Sequence, residues 1–169
     1  MASSTKPILG VAAMMMIEEG RFKAEDPVEK YIAEFKNIKV AVLKEPADED
    51  ISPEWVLEDI PAHRLVDVHR PVTIHDLLTH TSGLGGYGLG SAIAKFDRGP
   101  DETLATWIPQ VAAGPLDFQP GTRWAYSGSI GLDVVARIIE IVSGQPFNEF
   151  VQERIFKPLD MKDTHWNLP

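Results

Sequence analysis

A mainly α-helical chain is predicted by three stretches. The first twenty residues, MASSTKPILGVAAMMMIEEG, are almost wholly apolar from Ile8 to Ile17 and close on Gly20. From Ile130 to Val142 apolar residues recur at helical spacing before Ser143-Gly144, and from Pro146 to Phe156 they recur again before Pro158. Runs with strand-like alternation are few and short, so helices packed around one core are expected.

Taken in order, the first stretch predicts a helix over residues 3–19, with Pro7 tolerated in the first turn and Gly20 as its C-terminal stop. Next, RFKAEDPVEKYIAEF predicts a short second helix: Asp26 caps it, Pro27 opens it, and Val28, Tyr31, Ile32 and Phe35 form its apolar face. Ile38 to Leu43 reads as a strand, and the acidic, proline-bearing EPADEDISPEW as a surface loop. Val66, Val68 and Val72 suggest a short extended pair, after which Thr73 and Asp76 form a capping box on the helix TIHDLLTH. The five glycines between Gly83 and Gly90 lack the Gly-Lys-Ser/Thr ending of a phosphate loop and predict a flexible turn at a site rim. A helix over Asp101 to Ala112 despite Pro109, then the turn-rich PLDFQPGTRWAYS, lead into the last two helices.

Composition narrows the function. One domain is the default for 169 residues that are 44% hydrophobic. A net charge of −9 with scattered basic residues argues against nucleic acid. No cysteine means no disulfide and no thiolate metal site, and the compartment stays undetermined. The apolar run of the first helix is too short to span a bilayer, and no small-residue cleavage site follows Glu18 and Glu19. The five histidines have no metal-ligand spacing, so no metal or other cofactor is expected.

The chemistry-bearing pattern is at the start of the chain. Ser3 and Lys6 are three apart, a helical spacing that puts an amine within reach of a hydroxyl. A serine hydroxyl is a weak nucleophile at neutral pH, and an amine with a lowered pKa can take its proton. A serine that only caps the helix gives the same spacing, so the pair alone does not decide.

Four ordered blocks add to it: SSTKPILGVAAMMMIEEG, VTIHDLLTHTSGL, FQPGTRWAYS and IIEIVSGQPFNEFVQERIFKPLDMKDT. Together they resemble the serine β-lactamase-like hydrolases, namely class C β-lactamases, D-Ala-D-Ala carboxypeptidases of that fold and family VIII carboxylesterases. The pattern Ser-x-x-Lys is theirs. The resemblance implies the helical portion of an α+β β-lactamase/transpeptidase-like fold, most of whose antiparallel sheet, with a third Lys-Thr-Gly-type motif, is expected outside residues 1–169. It implies a small ester or amide as substrate, and acyl transfer with Ser3 as nucleophile, Lys6 and Tyr126 as catalytic partners, and the Ser3 backbone N–H as one oxyanion donor. Tyr126 stands at the tyrosine of the family's Tyr-x-Asn motif, where it would act as general base and later protonate the leaving group.

The asparagine of that motif is replaced by Gly128. Without a side-chain amide there, esters are expected to be better substrates than β-lactams. The competing expectations are a β-lactamase or D-Ala-D-Ala carboxypeptidase, a core role for Tyr126 beside Trp124, a Ser-His-Asp triad using His80 or His165, and a non-catalytic helical domain that binds a partner. His80 itself is expected to orient its loop by a hydrogen bond. The first helix, apolar nearly all round, needs cover on every side, so poor stability, self-association or docking of a complementary segment is expected of the isolated chain.

Overall fold

The central element is the helix whose periodicity is clearest. In a computed structural model, which describes residues 2–45, 60–96 and 98–165, α5 (Ile130–Ser143) buries Leu132, Val134, Val135, Ala136, Ile138 and Ile139. Burial over so wide an arc requires neighbours on several sides. They are α1 (Lys6–Glu18), α2 (Ile74–Leu78), α4 (Leu104–Ala113) and α6 (Phe147–Val151). At roughly 1.5–3 kcal/mol for each large buried aliphatic side chain, α5 contributes more to the packing than any other single helix.

The first helix differs from expectation at its start. Ala2–Thr5 form a 3-10 turn, so Ser3 lies on that tighter turn and α1 begins at Lys6, with Pro7 in its first turn. Leu9, Ala12, Ala13 and Met16 are buried, while Val11 and Met14 are 50% and 46% exposed. Apolar composition on every side therefore gives one covered face and one open one.

The expected second helix is instead two 3-10 turns, Val28–Lys30 and Ala33–Asn37. Ile32, at φ −128° and ψ 94°, is extended and separates them, and Val28, Ile32 and Phe35 are all buried in the core. Asp26 is not a helix cap. Its carboxylate accepts hydrogen bonds from the Tyr31 hydroxyl at 2.6 Å, and from the Lys23 backbone and the Lys30 amine, each at 2.9 Å.

The strand expected at Ile38–Leu43 is β1 (Lys39–Leu43), paired antiparallel with β2 (His63–Asp67) with Val40 opposite Val66. The valines near His69 do not pair with one another. Val66 belongs to β2, and the Val72 carbonyl instead accepts from Val28 N–H at 2.9 Å. Most of the acidic stretch 45–55 falls outside the described residues. On the other edge of β1, Leu116 bridges Val40 through bonds of 2.7 and 3.0 Å.

The Thr73–Asp76 capping box opens α2, and a second box of Thr103 and Thr106 starts α4 three residues later than the acidic residues suggested. The glycine-rich stretch also contains a short helix, α3 (Leu89–Ala94). The last helix continues from α6 as a π-helical turn, Gln152–Phe156, which buries Ile155 and Phe156. Among the described residues the chain is mainly helical with one two-stranded sheet, and no helix is long and apolar enough to cross a membrane.

Candidate active site

Two loops that are far apart in sequence are stitched into one wall. The segment after α2 and the passage before α5 run side by side, joined by Ala125 N–H to His80 O at 3.0 Å, Gly121 N–H to Thr81 O at 2.8 Å and Asp117 N–H to Gly83 O at 2.7 Å. Arg70 supports this wall from behind. Its guanidinium makes a two-pronged pair with Asp76, at 2.6 and 2.8 Å, and Asp76 is only 2% exposed.

The wall carries Tyr126 to the start of α1. Tyr126 Oη is 2.6 Å from Ser3 Oγ, Lys6 Nζ donates to Ser3 Oγ at 3.2 Å, and the amine lies 5.0 Å from the tyrosine ring centre. The hydrogen bond from Lys6, followed by that from Ser3, holds the Tyr126 phenol below its ordinary pKa. The phenol is 39% exposed, so it is not a core tyrosine, and Trp124 beside it is 64% exposed. The three side chains singled out in the sequence thus meet in one cluster. A lowered phenol pKa next to a hydroxyl is what proton abstraction from that hydroxyl requires.

His80 is outside this cluster but shapes it. Its ring lies against Tyr126, with centres 4.9 Å apart, and Nδ1 accepts from the Ser127 backbone N–H at 3.3 Å and meets Ser127 Oγ at 2.9 Å. A backbone N–H only donates, so Nδ1 is an acceptor and the ring proton sits on Nε2. Burial, with the Lys6 charge second, lowers the His80 pKa and keeps the ring neutral. Its backbone at φ +59° is a left-handed conformation rare outside glycine. The serine paired with His80 is therefore Ser127, which is 2% exposed, and this pair orients a loop.

Two contributors were not singled out in the sequence, Ser127 and Asp117. Asp117 accepts from Gly86 N–H and Ser91 N–H, each at 2.7 Å, and from Ser91 Oγ at 2.8 Å, so one carboxylate anchors the glycine-rich loop. Five glycines close together were the available signal, because so permissive a backbone needs an external anchor to hold one shape. Between this loop and residues 127–130 lies a cavity of about 300 Å³, lined by Tyr87, Ser91, Phe96 and Ile130 among others. Among the described residues no three His, Asp or Glu side chains gather to hold a metal.

Comparison with known proteins gives the family and the fold. The family model described as Beta-lactamase matches residues 1–169. Lovastatin esterase of Penicillium rubens is 33% identical over 98% of this chain, and esterase EstB of Burkholderia gladioli is 33% identical over 96% of it. The chain spans 39% and 37% of the length of those two relatives. Among solved structures, EstCE1, a hydrolase with promiscuous acyltransferase activity, superposes with a TM-score of 0.67 at 23% identity, covering 95% of this chain and 37% of that one. A penicillin-binding protein from Bacillus halodurans does so with a TM-score of 0.65 at 23% identity, covering all of this chain and 43% of its own. At these identities the structural likeness establishes the fold.

Proposed function

The chain belongs to the beta-lactamase family, and from that premise we propose that it provides the nucleophile and the proton-transfer groups of a serine hydrolase acting on small esters. The observation that carries this reading is the contact of Ser3 Oγ with both Tyr126 Oη at 2.6 Å and Lys6 Nζ at 3.2 Å.

The chemistry follows from those contacts. The ionised Tyr126 phenolate takes the Ser3 proton while Oγ bonds to the ester carbonyl carbon, and the carbonyl π pair moves onto oxygen. The Ser3 backbone N–H supplies one donor to that oxyanion. As the intermediate collapses, the bond from carbon to the leaving oxygen breaks and Tyr126 returns its proton to the departing alcohol. Water then enters and loses a proton to Tyr126 as its oxygen bonds to the acyl carbon; the bond from carbon to Oγ breaks, Tyr126 passes that proton to Ser3 Oγ, and the acid leaves. Lys6 keeps the phenol acidic throughout, because a cation beside it favours the charged form.

Esters are favoured over β-lactams because Gly128, two residues after Tyr126, offers no side-chain amide to a lactam side chain. Two relatives named as esterases, each 33% identical, agree with that preference.

The test is covalent labelling of the protein with a fluorophosphonate, located by mass spectrometry, beside turnover of p-nitrophenyl butanoate and nitrocefin. Label on Ser3, lost in Ser3→Ala, with butanoate turned over more efficiently than nitrocefin, is the expected result. Ser82 and Ser127 are 1% and 2% exposed, so label on either would overturn the assignment.

A further inference from the structure

The cavity lined by residues 127–130, which directly follow Tyr126 in the chain, has a tyrosine among its other lining residues. Tyr87 is 59% exposed, its backbone sits at φ +61°, and its hydroxyl has no hydrogen-bond partner among the described residues. A bulky residue in the left-handed region is strained, and such strain persists only where the surroundings hold it. Here they do. Asp117 grips the loop on both sides of Tyr87, at Gly86 and at Ser91.

The grip aims the phenol at a particular place. A Cβ on Gly128 would stand 3.3 Å from Tyr87 Oη, and among the described residues other than its two chain neighbours no other atom comes within 4 Å of that point. The hydroxyl therefore occupies the space in front of Gly128, at the rim of the cavity that Phe96 and Ile130 make apolar. A largely apolar pocket with a few hydroxyls in its lining, that of Tyr87 among them, suits a short chain carrying one polar atom.

We propose that Tyr87 is a specificity-determining residue, whose hydroxyl hydrogen-bonds an ether, ester or amide oxygen on the acyl chain and so favours such acyl groups over plain alkyl ones. This rests on the acyl-transfer reading above. The acyl side is the one concerned because the acyl group stays bonded to Ser3 until water arrives, whereas the alcohol departs once Tyr126 has protonated it.

Matched substrates isolate the hydroxyl. p-Nitrophenyl butanoate and pentanoate differ from the methoxyacetate and 3-methoxypropanoate only by a methylene exchanged for an ether oxygen. The ratio of kcat/KM between ether and alkyl members, measured in the wild type and in Tyr87→Phe, cancels their intrinsic reactivities. Tyr87→Phe should lower that ratio roughly three- to tenfold for at least one pair, the effect of one neutral hydrogen bond, while the alkyl esters hold within about twofold. Equal losses on both members of both pairs, or no change, with Ser3 still labelled, would overturn this inference alone. A wild type that is not labelled at Ser3 would overturn the acyl-transfer reading and this inference with it.

Discussion

Ser3 Oγ and Tyr126 Oη lie 2.6 Å apart although 123 positions separate them in the chain. Neither group owes its place to the other. Ser3 is fixed by the turn that opens α1, and Tyr126 by the wall that the His80–Gly83 segment shares with the 117–125 passage.

Removing the phenol oxygen should therefore spare the fold and slow the chemistry. In Tyr126→Phe the exposed ring is kept, so thermal unfolding should not move measurably. Ester turnover should fall about 10²- to 10⁴-fold in kcat/KM, the usual value of a positioned acid–base group. A loss under tenfold would mean that Lys6 alone serves as base.

The pH dependence should show Lys6 acting on Tyr126. Hydrogen bonding to Lys6, then to Ser3, holds the phenol below its ordinary 10, and the reaction uses the ionised form, so activity should rise with pH along a limb below 10. Lys6→Met removes the cation and its hydrogen bond, and the limb of the residual activity should move up towards 10. A limb that stays in place would assign it to another group.

How far this site could be read beforehand depended on the range of the interactions. Ser3 and Lys6 are set by helical spacing, a local rule, and the capping box of Thr73 and Asp76 is equally local. Tyr126 came only through the likeness of FQPGTRWAYS to a known motif, since no periodicity places residue 126 beside residue 3. The helix expected from Asp26 to Phe35 is two 3-10 turns parted by an extended Ile32, a break that no Pro or Gly between Val28 and Phe35 marks in the sequence. Asp117 and Tyr87 left only an indirect trace, because an anchor across a loop has no fixed offset in sequence.

His80 gives a second pH effect, of opposite origin. Its Nδ1 must stay unprotonated to accept from Ser127, and burial, then Lys6, lowers its folded pKa below the ordinary 6.5. The neutral ring thus stabilises the fold fully above pH 6.5, and this contribution is lost as pH falls through the lowered value. His80→Ala should lower kcat more than KM by loosening Tyr126, and should flatten the acid side of the stability profile. Asn tolerates left-handed backbone and offers an acceptor, so His80→Asn should recover part of kcat. Equal activity in the Ala and Asn variants would show that the ring's packing, not its hydrogen bond, positions the loop.

Acid should release two further carboxylates. The hydrogen bond from Tyr31, against a counteracting burial effect and with help from Lys23 and Lys30, lowers Asp26 to about 2. At Asp76 burial acts upward, but the bonds from Arg70 and Thr73 outweigh it and the pKa is lowered. Both contribute stability that is complete above about pH 4; that of Asp26 is lost as pH falls towards about 2, and that of Asp76 as pH falls through its own lowered value. Asp76→Ala, which leaves Arg70 unpaired and the α2 cap undone, should cost about 2–4 kcal/mol at neutral pH. The gap between Asp76→Asn and wild type should narrow below pH 4 in denaturant titrations, and a constant gap would exclude the ionic pairing as its source.

Two glycines should respond to alanine in opposite directions. Gly83 has φ +79°, and an added Cβ would lie 2.4 Å from the Phe118 carbonyl oxygen and 3.2 Å from its nitrogen. Those are backbone atoms in the wall that carries Tyr126, so neither can rotate away as a side chain would. The left-handed conformation costs alanine about 1–2 kcal/mol, and relieving the contact adds about 1–3 kcal/mol. Gly83→Ala should therefore destabilise by about 2–5 kcal/mol, or roughly 4–20 °C in Tm at 2–4 °C per kcal/mol. It should also separate Tyr126 from Ser3, because the two segments pushed apart are the ones that the neighbouring bond from Asp117 N–H to Gly83 O joins at 2.7 Å. Gly10 is inside α1, and an added Cβ there meets nothing within 4 Å. Removing the backbone freedom of glycine from a helix interior should stabilise by about 0.5–1 kcal/mol, with activity unchanged. Thermal unfolding of the two variants beside wild type, with ester turnover measured on each, checks both signs. A Gly83→Ala protein that melts with wild type and keeps its activity would show that the 80–83 and 117–125 segments are not held as tightly as the site requires.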